Sequence, residues 1–190
     1  VLTEPELRTL WVSFEALDAT MGAFYKLRLL TAQRGGEVAS MRWQDVDLDS
    51  GWWIIPAGMS KNKLAHRVPL SPEVVTLLKS LQRDESSDNV YVLAGARGKR
   101  QQAEAAATFK VSDFRGHDLR RTAASLMTSN RVPRLVVSKI LNHAERGVTA
   151  VYDRHSYDPA KRAALDWWGA KETAIVKSES SKVLPFVKGS

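Results

Sequence analysis

Apolar residues recur with helical spacing over much of the chain. The clearest case follows residues 3–6, where Thr3 stands at the N-cap position, a proline lies in the first turn and Glu6 has the capping-box spacing. The same spacing predicts further helices at residues 22–31, 37–41, 72–81, 118–128, 132–141, 148–154 and 159–171. The chain is therefore predicted to be mainly helical.

The middle of the chain has a different pattern. Trp52–Ile55 is rich in residues that favour strands, and His66–Leu70 has the pattern of a returning strand. Residues 45–49 lead into them, so we expect an antiparallel sheet of two or three strands with a basic tip at Lys61–Lys63. Residues 94–105 are expected to form a basic, flexible loop. The predicted fold class is α+β, mainly helical with a small antiparallel sheet.

Charge and cysteine content narrow the class of protein. The 190-residue chain has a formal net charge of +7 and a pI near 9.8, which favours a polyanionic partner. It has no cysteine, which excludes disulfides and thiolate metal sites and suits a reducing cytoplasm. No apolar run approaches the 18 residues of a membrane span. We therefore expect a soluble cytoplasmic protein that binds a polyanion and no membrane.

The candidate chemistry is concentrated in two short segments. His117 and Arg120 are three residues apart near the start of a helix, so they share one face and can bind one small anion together. A second histidine, His143, follows in Leu-Asn-His-Ala, and Tyr152 comes nine residues after it. Each has an ordinary alternative, because the first pair can decorate a helix N-terminus, His143 can cap a helix C-terminus and Tyr152 can pack in the core. Their order favours a site that handles a phosphodiester.

Two earlier segments extend this pattern. Arg34 and Glu37 can be an ordinary surface ion pair, and Lys61 and Lys63 can be solvated charges. Taken with the histidines, however, the chain resembles the catalytic domain of the tyrosine recombinases, the phage-type integrases. The resemblance spans residues 1 to about 170 and rests on Arg-Gly-Gly-Glu at 34–37, a hairpin lysine before His-x-Val-Pro-Leu-Ser at 66–71, His117-x-x-Arg120, Leu-x-His143 and Tyr152. The stretch Val-Thr-Ala-Val-Tyr-Asp-Arg-His is most similar to prophage integrases.

The resemblance implies the DNA breaking-rejoining fold of that family and a set of residues that hold a phosphate. Arg34 and Arg120 would clamp the non-bridging oxygens with guanidinium groups that stay charged, and His143 would add a third donor. Glu37 would orient Arg34. These cations would stabilise the negative charge that develops in the transition state. No metal and no cofactor is required by this scheme.

The resemblance also assigns the groups that move protons. Tyr152 would be the nucleophile and would form a 3′-phosphotyrosyl link to DNA. Because a phenol has a pKa near 10, it needs a base, and His117 would be that base and the acid of the reverse step. Lys61 would protonate the leaving 5′ oxygen. Lys63 shares its strand face, and the spacing to His66 favours Lys61.

The implied function is site-specific DNA recombination, as in prophage integration or excision. The implied partners are double-stranded DNA attachment sites, further copies of the chain in a tetramer on DNA, and an excisionase or host DNA-bending factor, all at the nucleoid of a bacterial host. Sequence-independent phosphate contacts are expected from Lys63, Lys99, Arg100, Arg115 and Arg121. Arg121 is turned about 100° from Arg120 along the helix and so lies outside the clamp. The alternatives are DNA relaxation like that of a type IB topoisomerase and a non-catalytic DNA-binding module.

The same comparison predicts the domain limits. Residues 1–172 are assigned to the catalytic domain and 173–190 to a linker and tail, while the family's N-terminal core-binding and arm-binding domains are expected to be absent from this chain. The apolar segment Val183–Val187 is expected to dock on a neighbouring protomer. Thr31-Ala32-Gln33 stands where many relatives have Thr-Gly-Leu, directly before Arg34.

Overall fold

The computed structural model describes residues 1–60, 63–81, 89–143, 157–178 and 183–187. Within these ranges the chain forms eight α-helices and three strands. The helices are α1 (Glu4–Glu15), α2 (Ala19–Thr31), α3 (Gly35–Ala39), α4 (Pro72–Ser80), α5 (Lys99–Ala106), α6 (Gly116–Ser129), α7 (Arg134–Ile140) and α8 (Asp158–Val176). The strands are β1 (Val46–Asp47), β2 (Trp52–Ile55) and β3 (His66–Pro69). The predicted fold class, mainly helical with a small antiparallel sheet, is confirmed.

The first two helices begin at side chains that accept hydrogen bonds from free backbone amides. In α1, Glu6 accepts from the amide of Thr3 at 2.8 Å and the Thr3 hydroxyl accepts from the amide of Glu6 at 3.4 Å, which is the predicted capping box. Asp18 caps α2 in the same way, so this helix starts three residues before the predicted Gly22. Gly22 does not break the helix. A methyl group there would lie 2.5 Å from the carbonyl oxygen of Phe14, so glycine lets α2 pack closely on α1.

The sheet has the order β1-β2-β3 and is antiparallel throughout. Trp53 pairs with Val68, and these two residues lie on the face that is buried in the core. Trp52 points to the opposite face, where the guanidinium groups of Arg67 and Arg162 lie 4.3 and 4.4 Å from its ring centroid. The alternation expected of a half-buried strand is therefore present.

The core is built around α2, which contacts α1, α3, α4, α6 and α8. Phe24, Leu27 and Leu30 of this helix are buried. Trp168 of α8 is also buried, and its indole N–H donates to the carbonyl of Leu29 at 3.0 Å. Because Arg34 follows directly after α2, this buried helix fixes the approach to the candidate site.

Several predicted boundaries need correction. Residues 94–105 are not a flexible loop, because Ala94–Ala96 is a 3₁₀ turn and Lys99–Ala106 is α5. The segment Lys-Arg-Gln-Gln-Ala-Glu-Ala-Ala consists of good helix formers, and Arg100 pairs with Glu104 one turn later at 2.8 Å. Helix α8 extends to Val176, beyond the predicted end at residue 171. The helix predicted at 148–154 lies outside the described residues.

The described part of the C-terminal tail packs on its own chain. Phe186 is buried with its ring 6.4 Å from that of Trp167, whose indole N–H donates to the carbonyl of Leu184 at 2.9 Å. The amide of Phe186 donates to the carbonyl of Asn130, at the end of α6. Phe186 is occupied by this contact, whereas Leu184 and Val187 are exposed, so docking of the segment on a neighbouring protomer stays a prediction. None of the helices in the described ranges has the length and apolarity needed to cross a lipid bilayer.

Candidate active site

Arg34 is held at the start of α3 by a buried carboxylate. Glu37, three residues later in α3, accepts from the backbone amide of Arg34 at 3.1 Å and from its guanidinium at 3.0 Å. The Glu37 side chain is 3% exposed and that of Arg34 is 27% exposed. The carboxylate therefore fixes both the backbone and the side chain of an arginine that stays partly exposed.

Arg120 lies on α6 and is almost completely buried. Its guanidinium donates to the carbonyl of Ala32 at 2.6 Å and to the carbonyl of Leu141. A guanidinium has five N–H donors, so three remain after these two bonds. Burial lowers the pKa of Arg120 to about 10, helped by the positive charge of Arg34, while Glu37 opposes the shift. Arg34 and Arg120 are therefore close enough to repel each other and to attract one anion together.

His143 is positioned by the way in which α7 ends. Asn142 adopts the left-handed conformation, with φ of 49°, and its amide donates to the carbonyl of Lys139. The amide of His143 donates to the carbonyl of Ser138 at 3.1 Å. These two bonds form a Schellman motif, in which asparagine is the residue after glycine best suited to the left-handed position. The motif turns the chain sharply, so that His143 leaves α7 beside Arg120.

Two residues that the sequence analysis did not assign to the site anchor this turn. Gln33 is 1% exposed, and its side-chain amide donates to the carbonyl of Ile140 at 2.9 Å. His66 of β3 is also buried, and its Nε2 lies 3.1 Å from the same carbonyl, to which it must donate. Burial, together with the charges of Lys161, Arg120 and Arg34, lowers the pKa of His66 to about 4, so the ring is neutral. The motif that contains His66 was recognised, but nothing in its pattern indicated this partner.

The structure shows how Ala32 and Gln33 serve in place of the glycine and leucine of the family's Thr-Gly-Leu. Ala32 has φ of 55°, a conformation that glycine adopts without strain. Its carbonyl is one of the two that hold Arg120. The substituted segment therefore keeps the backbone turn that the glycine would provide, and Gln33 adds a bond to α7.

The two exposed histidines are held in the neutral state. Desolvation lowers the pKa of His117, and the charges of Arg120, Arg121 and Arg28 lower it further, while Asp118 opposes them. Desolvation likewise lowers the pKa of His143, followed by the charges of Arg120, Arg34 and His117. At neutral pH each ring can donate one hydrogen bond and accept one.

A surface pocket of about 390 Å³ lies over these groups. It is lined by Val1, His117, Arg120, Arg121, Ala124, Ser125, Leu141 and His143. Arg121 was expected to turn away from the clamp, yet its largely exposed side chain borders the same pocket and lies 3.9 Å from Asp118. Consecutive residues on a helix point about 100° apart, and a pocket this wide is lined by both Arg120 and Arg121.

The other predicted residues that the structure describes are not among those that line the pocket. Lys63, Lys99, Arg100 and Arg115 are exposed, and Arg115 stands at the N-cap of α6, two residues before His117. Lys61 and Tyr152 lie outside the described residues. The structure therefore brings together Arg34, Arg120, His117 and His143, with Glu37 beside them. In the described ranges, no group of three or more His, Asp or Glu side chains is placed to hold a metal ion.

This arrangement is suited to a phosphate. Two guanidinium groups, those of Arg120 and Arg121, and two neutral histidines line one opening, with the charge of Arg34 close by. The carboxylate of Glu37 is buried and bonded to Arg34. Guanidinium groups bind phosphate oxygens through paired, charge-assisted hydrogen bonds. A neutral histidine can in addition accept a proton from a nucleophile.

Comparison with known proteins gives a consistent result. The sequence profile of the phage integrase family matches residues 1–158. The chain is 28% identical over 151 residues to the integrase of Shigella phage Sf6, and equally to the prophage integrase IntS of Escherichia coli K12; each match covers 75% of this chain and 39% of the relative. The crystal structure of XerA recombinase superimposes with a TM-score of 0.61 at 26% identity, covering 85% of this chain and 62% of that one. The chain thus spans about two fifths of the length of these curated relatives.

Proposed function

The chain belongs to the phage integrase family, and from this membership we propose that it cleaves and rejoins DNA strands in site-specific recombination. The observation that carries the proposal is a pocket lined by His117, Arg120 and His143, with the charge of Arg34 near enough to lower the pKa of both Arg120 and His143. The similar proteins named above are a phage integrase and a prophage integrase, which supports this proposal. Integration or excision of a prophage is the corresponding biological role.

In the proposed reaction, Arg34 and Arg120 bind the non-bridging oxygens of the scissile phosphate, and His143 donates a further hydrogen bond. The negative charge on these oxygens increases as a fifth oxygen approaches phosphorus, so donors already in place stabilise the transition state more than the ground state. Arg120 is held by two backbone carbonyls and Arg34 by Glu37. The clamp therefore needs little reorganisation when DNA binds.

The covalent step exchanges one ester bond for another. The Tyr152 oxygen attacks phosphorus, the bond from phosphorus to the 5′ oxygen breaks, and a 3′-phosphotyrosyl ester forms. His117 takes the phenol proton, a role that its lowered pKa supports because the ring is neutral at physiological pH. Lys61 gives a proton to the 5′ oxygen. Rejoining reverses each transfer, and no external energy source is required since the ester energy is retained.

The proposed partners follow from the same role. Duplex DNA at attachment sites is the substrate, and exposed Lys63, Lys99, Arg100, Arg115 and Arg121 supply sequence-independent phosphate contacts. Exchange of strands between two duplexes requires several active sites, so we propose a tetramer on DNA, assisted by an excisionase or a host DNA-bending factor. The proposed location is the nucleoid of a bacterial cytoplasm.

The proposal is tested with a nicked suicide DNA substrate, which traps the covalent adduct because the cleaved strand diffuses away. We expect an adduct with the wild-type sequence and none with Tyr152→Phe. Tyr157→Phe is the matched control, since Tyr157 is the nearest other tyrosine in the sequence and its ring centroid lies 5.0 Å from the ammonium of Lys139. This substitution is expected to leave the adduct unchanged. An adduct that persists in Tyr152→Phe would exclude Tyr152 as the nucleophile.

Two further outcomes separate the alternatives. Failure to form any adduct, even when the chain is tested within its full-length protein, would favour a non-catalytic DNA-binding module. Relaxation of supercoiled DNA without exchange between two attachment sites would favour an activity like that of a type IB topoisomerase. Formation of recombinant products from two sites supports the recombinase.

A further inference from the structure

Arg28, in the last turn of α2, lies where the two helices of the candidate site begin. Its guanidinium fits between Gly35, the first residue of α3, and Gly116, the first residue of α6. A methyl group on Gly116 would collide with Nη1 of Arg28, and a methyl group on Gly35 would lie 3.1 Å from its Cζ. The glycine at 116 therefore leaves room for the guanidinium in this position, the one at 35 adds tight contact, and the guanidinium lies between the two helix ends.

The contacts of Arg28 fix its guanidinium, but among the described residues they include no carboxylate. Nη2 donates to the carbonyl of Gly116, and the guanidinium lies 5.2 Å from the ring centroid of Phe24 and 5.8 Å from that of Tyr25. Nε is buried without an acceptor. Among the described residues, no carboxylate forms an ion pair with Arg28. A partly buried guanidinium with a fully buried Nε and no carboxylate partner in the described ranges carries a desolvation cost, so its retention calls for a nearby anion or for a positioning role.

The residues next to the two glycines belong to the candidate phosphate site. Arg34 directly precedes Gly35, and His117 directly follows Gly116. In a regular helix, the carbonyl of Gly116 also accepts from the amide of Arg120, so Arg28 bonds to the first link of the turn that carries two site residues. Arg28 itself is absent from the lining of the pocket. It is bonded to the start of α6, which carries two of the four site residues, and lies against the start of α3, which directly follows a third.

We propose that Arg28 is a positioning residue of the phosphate site: its guanidinium fixes the start of α6 against the start of α3, and its charge is balanced by the phosphate that the site binds. This inference rests on the proposed function, in which that phosphate belongs to DNA. It extends the clamp by a third arginine that never touches the substrate. The two glycines are explained as well, since any side chain at Gly116 would displace the guanidinium.

The electrostatic environment of His117 agrees with this placement. After desolvation and the charges of Arg120 and Arg121, Arg28 is the next group that lowers the pKa of His117. Its positive charge therefore helps to keep the proposed base neutral. A residue with only a packing role would have no such effect, which provides a specific measurement.

The test compares Arg28→Met, Arg28→Lys and the matched control Arg162→Met. Arg162 has similar bonding, because it donates to the carbonyls of Ser50 and Gly51 and stacks on Trp52 at 4.4 Å. Each folded variant is titrated by NMR for the pKa of His117 and for binding of inorganic phosphate. Cleavage of the nicked DNA substrate is measured in parallel.

We expect Arg28→Met to raise the pKa of His117, to weaken phosphate binding severalfold, and to slow cleavage by about tenfold or more, as misplacement of catalytic groups does. Arg28→Lys keeps the charge, so His117 should titrate as in the wild type. Its ammonium lacks the planar fork that spans both glycines, so cleavage should still be slowed. Arg162→Met should leave the pKa of His117 and the phosphate affinity unchanged.

A folded Arg28→Met variant with an unchanged His117 pKa and unchanged phosphate affinity would overturn the proposal. If Arg28→Met does not fold, Arg28→Lys decides: cleavage at the wild-type rate would show that the guanidinium does not position the site. If the wild-type chain forms no covalent adduct, the proposed function fails. The titration and the phosphate binding still test Arg28 in that case, so the two failures can be told apart.

Discussion

Asn142 allows backbone strain to be separated from side-chain bonding at the turn that positions His143. The residue has φ of 49°, and its Nδ2 lies 3.0 Å from the hydroxyl oxygen of Ser60. Asn142→Ala and Asn142→Gly both remove this bond, which has a net value of about 1 kcal/mol. They differ in strain, because the left-handed conformation costs an ordinary L residue about 1–2 kcal/mol and costs glycine almost nothing.

The magnitudes follow from these two contributions. Asparagine tolerates the left-handed region better than alanine, so part of the strain is new in Asn142→Ala, and we expect this variant to lose about 2 kcal/mol of unfolding free energy. In Asn142→Gly, the relief of strain offsets most of the lost bond, and we expect a loss below about 1 kcal/mol. Ser60→Ala removes the bond without touching the turn and should cost about 1 kcal/mol.

Chemical denaturation of the three variants measures the differences, and the suicide substrate measures their consequence for the site. We expect cleavage to decrease most in Asn142→Ala, since strain at residue 142 is relieved by moving the next residue, His143. If Asn142→Ala is as stable and as active as Asn142→Gly, the Schellman turn does not position His143 and this account of the site is wrong.

Three further predictions concern charge. Burial, followed by repulsion from Glu73, raises the pKa of Glu172 to about 8 from 4.5. The folded state therefore holds a proton that the unfolded state has lost, and the free energy of unfolding falls as the pH rises from about 4.5 to about 8, by at most about 1.4 kcal/mol per pH unit. Glu172→Gln should flatten this profile and be the more stable protein at pH 9. Arg120→Lys cannot reach both carbonyls and should slow cleavage on the order of 10²–10³-fold with DNA affinity within about threefold, whereas an unchanged rate would exclude Arg120 from the clamp. DNA affinity should fall steeply with salt concentration, and Arg115→Ala should reduce the slope of log K against log salt by about one, so a flat profile would count against the DNA interface.

The features that the sequence predicted are local ones. The capping box of α1 depends on residues three apart, and β2 and β3 depend on a short run of strand-forming residues, so each pattern contains its own cause. The basic composition and flanking glycines of α5 favour a loop, but its residues are good helix formers and the helix forms. Gly22 is typical of a helix boundary, yet it lies inside α2, where the missing side chain permits contact with Phe14.

The supports of the site could not be predicted for a different physical reason. Arg120, Gln33 and His66 all donate to backbone carbonyls of residues distant in sequence. Every residue has a backbone carbonyl, so the sequence does not indicate which residue supplies the acceptor. The residue types at the pocket were recognisable through the family resemblance, but the bonds that orient them depend on how α2 and α7 end.

The choice of acceptors has a consequence for the charge of the site. Ala32 and Leu141 are the C-caps of α2 and α7, where helix dipoles place partial negative charge of about half an electron. These carbonyls satisfy the donors of Arg120 and favour its charge without cancelling it. A carboxylate would bind more strongly but would neutralise the cation and repel a phosphate. Arg34 has such a carboxylate in Glu37, while Arg120 and Arg28 are held by carbonyls, which leaves their charge available to an anion in the pocket.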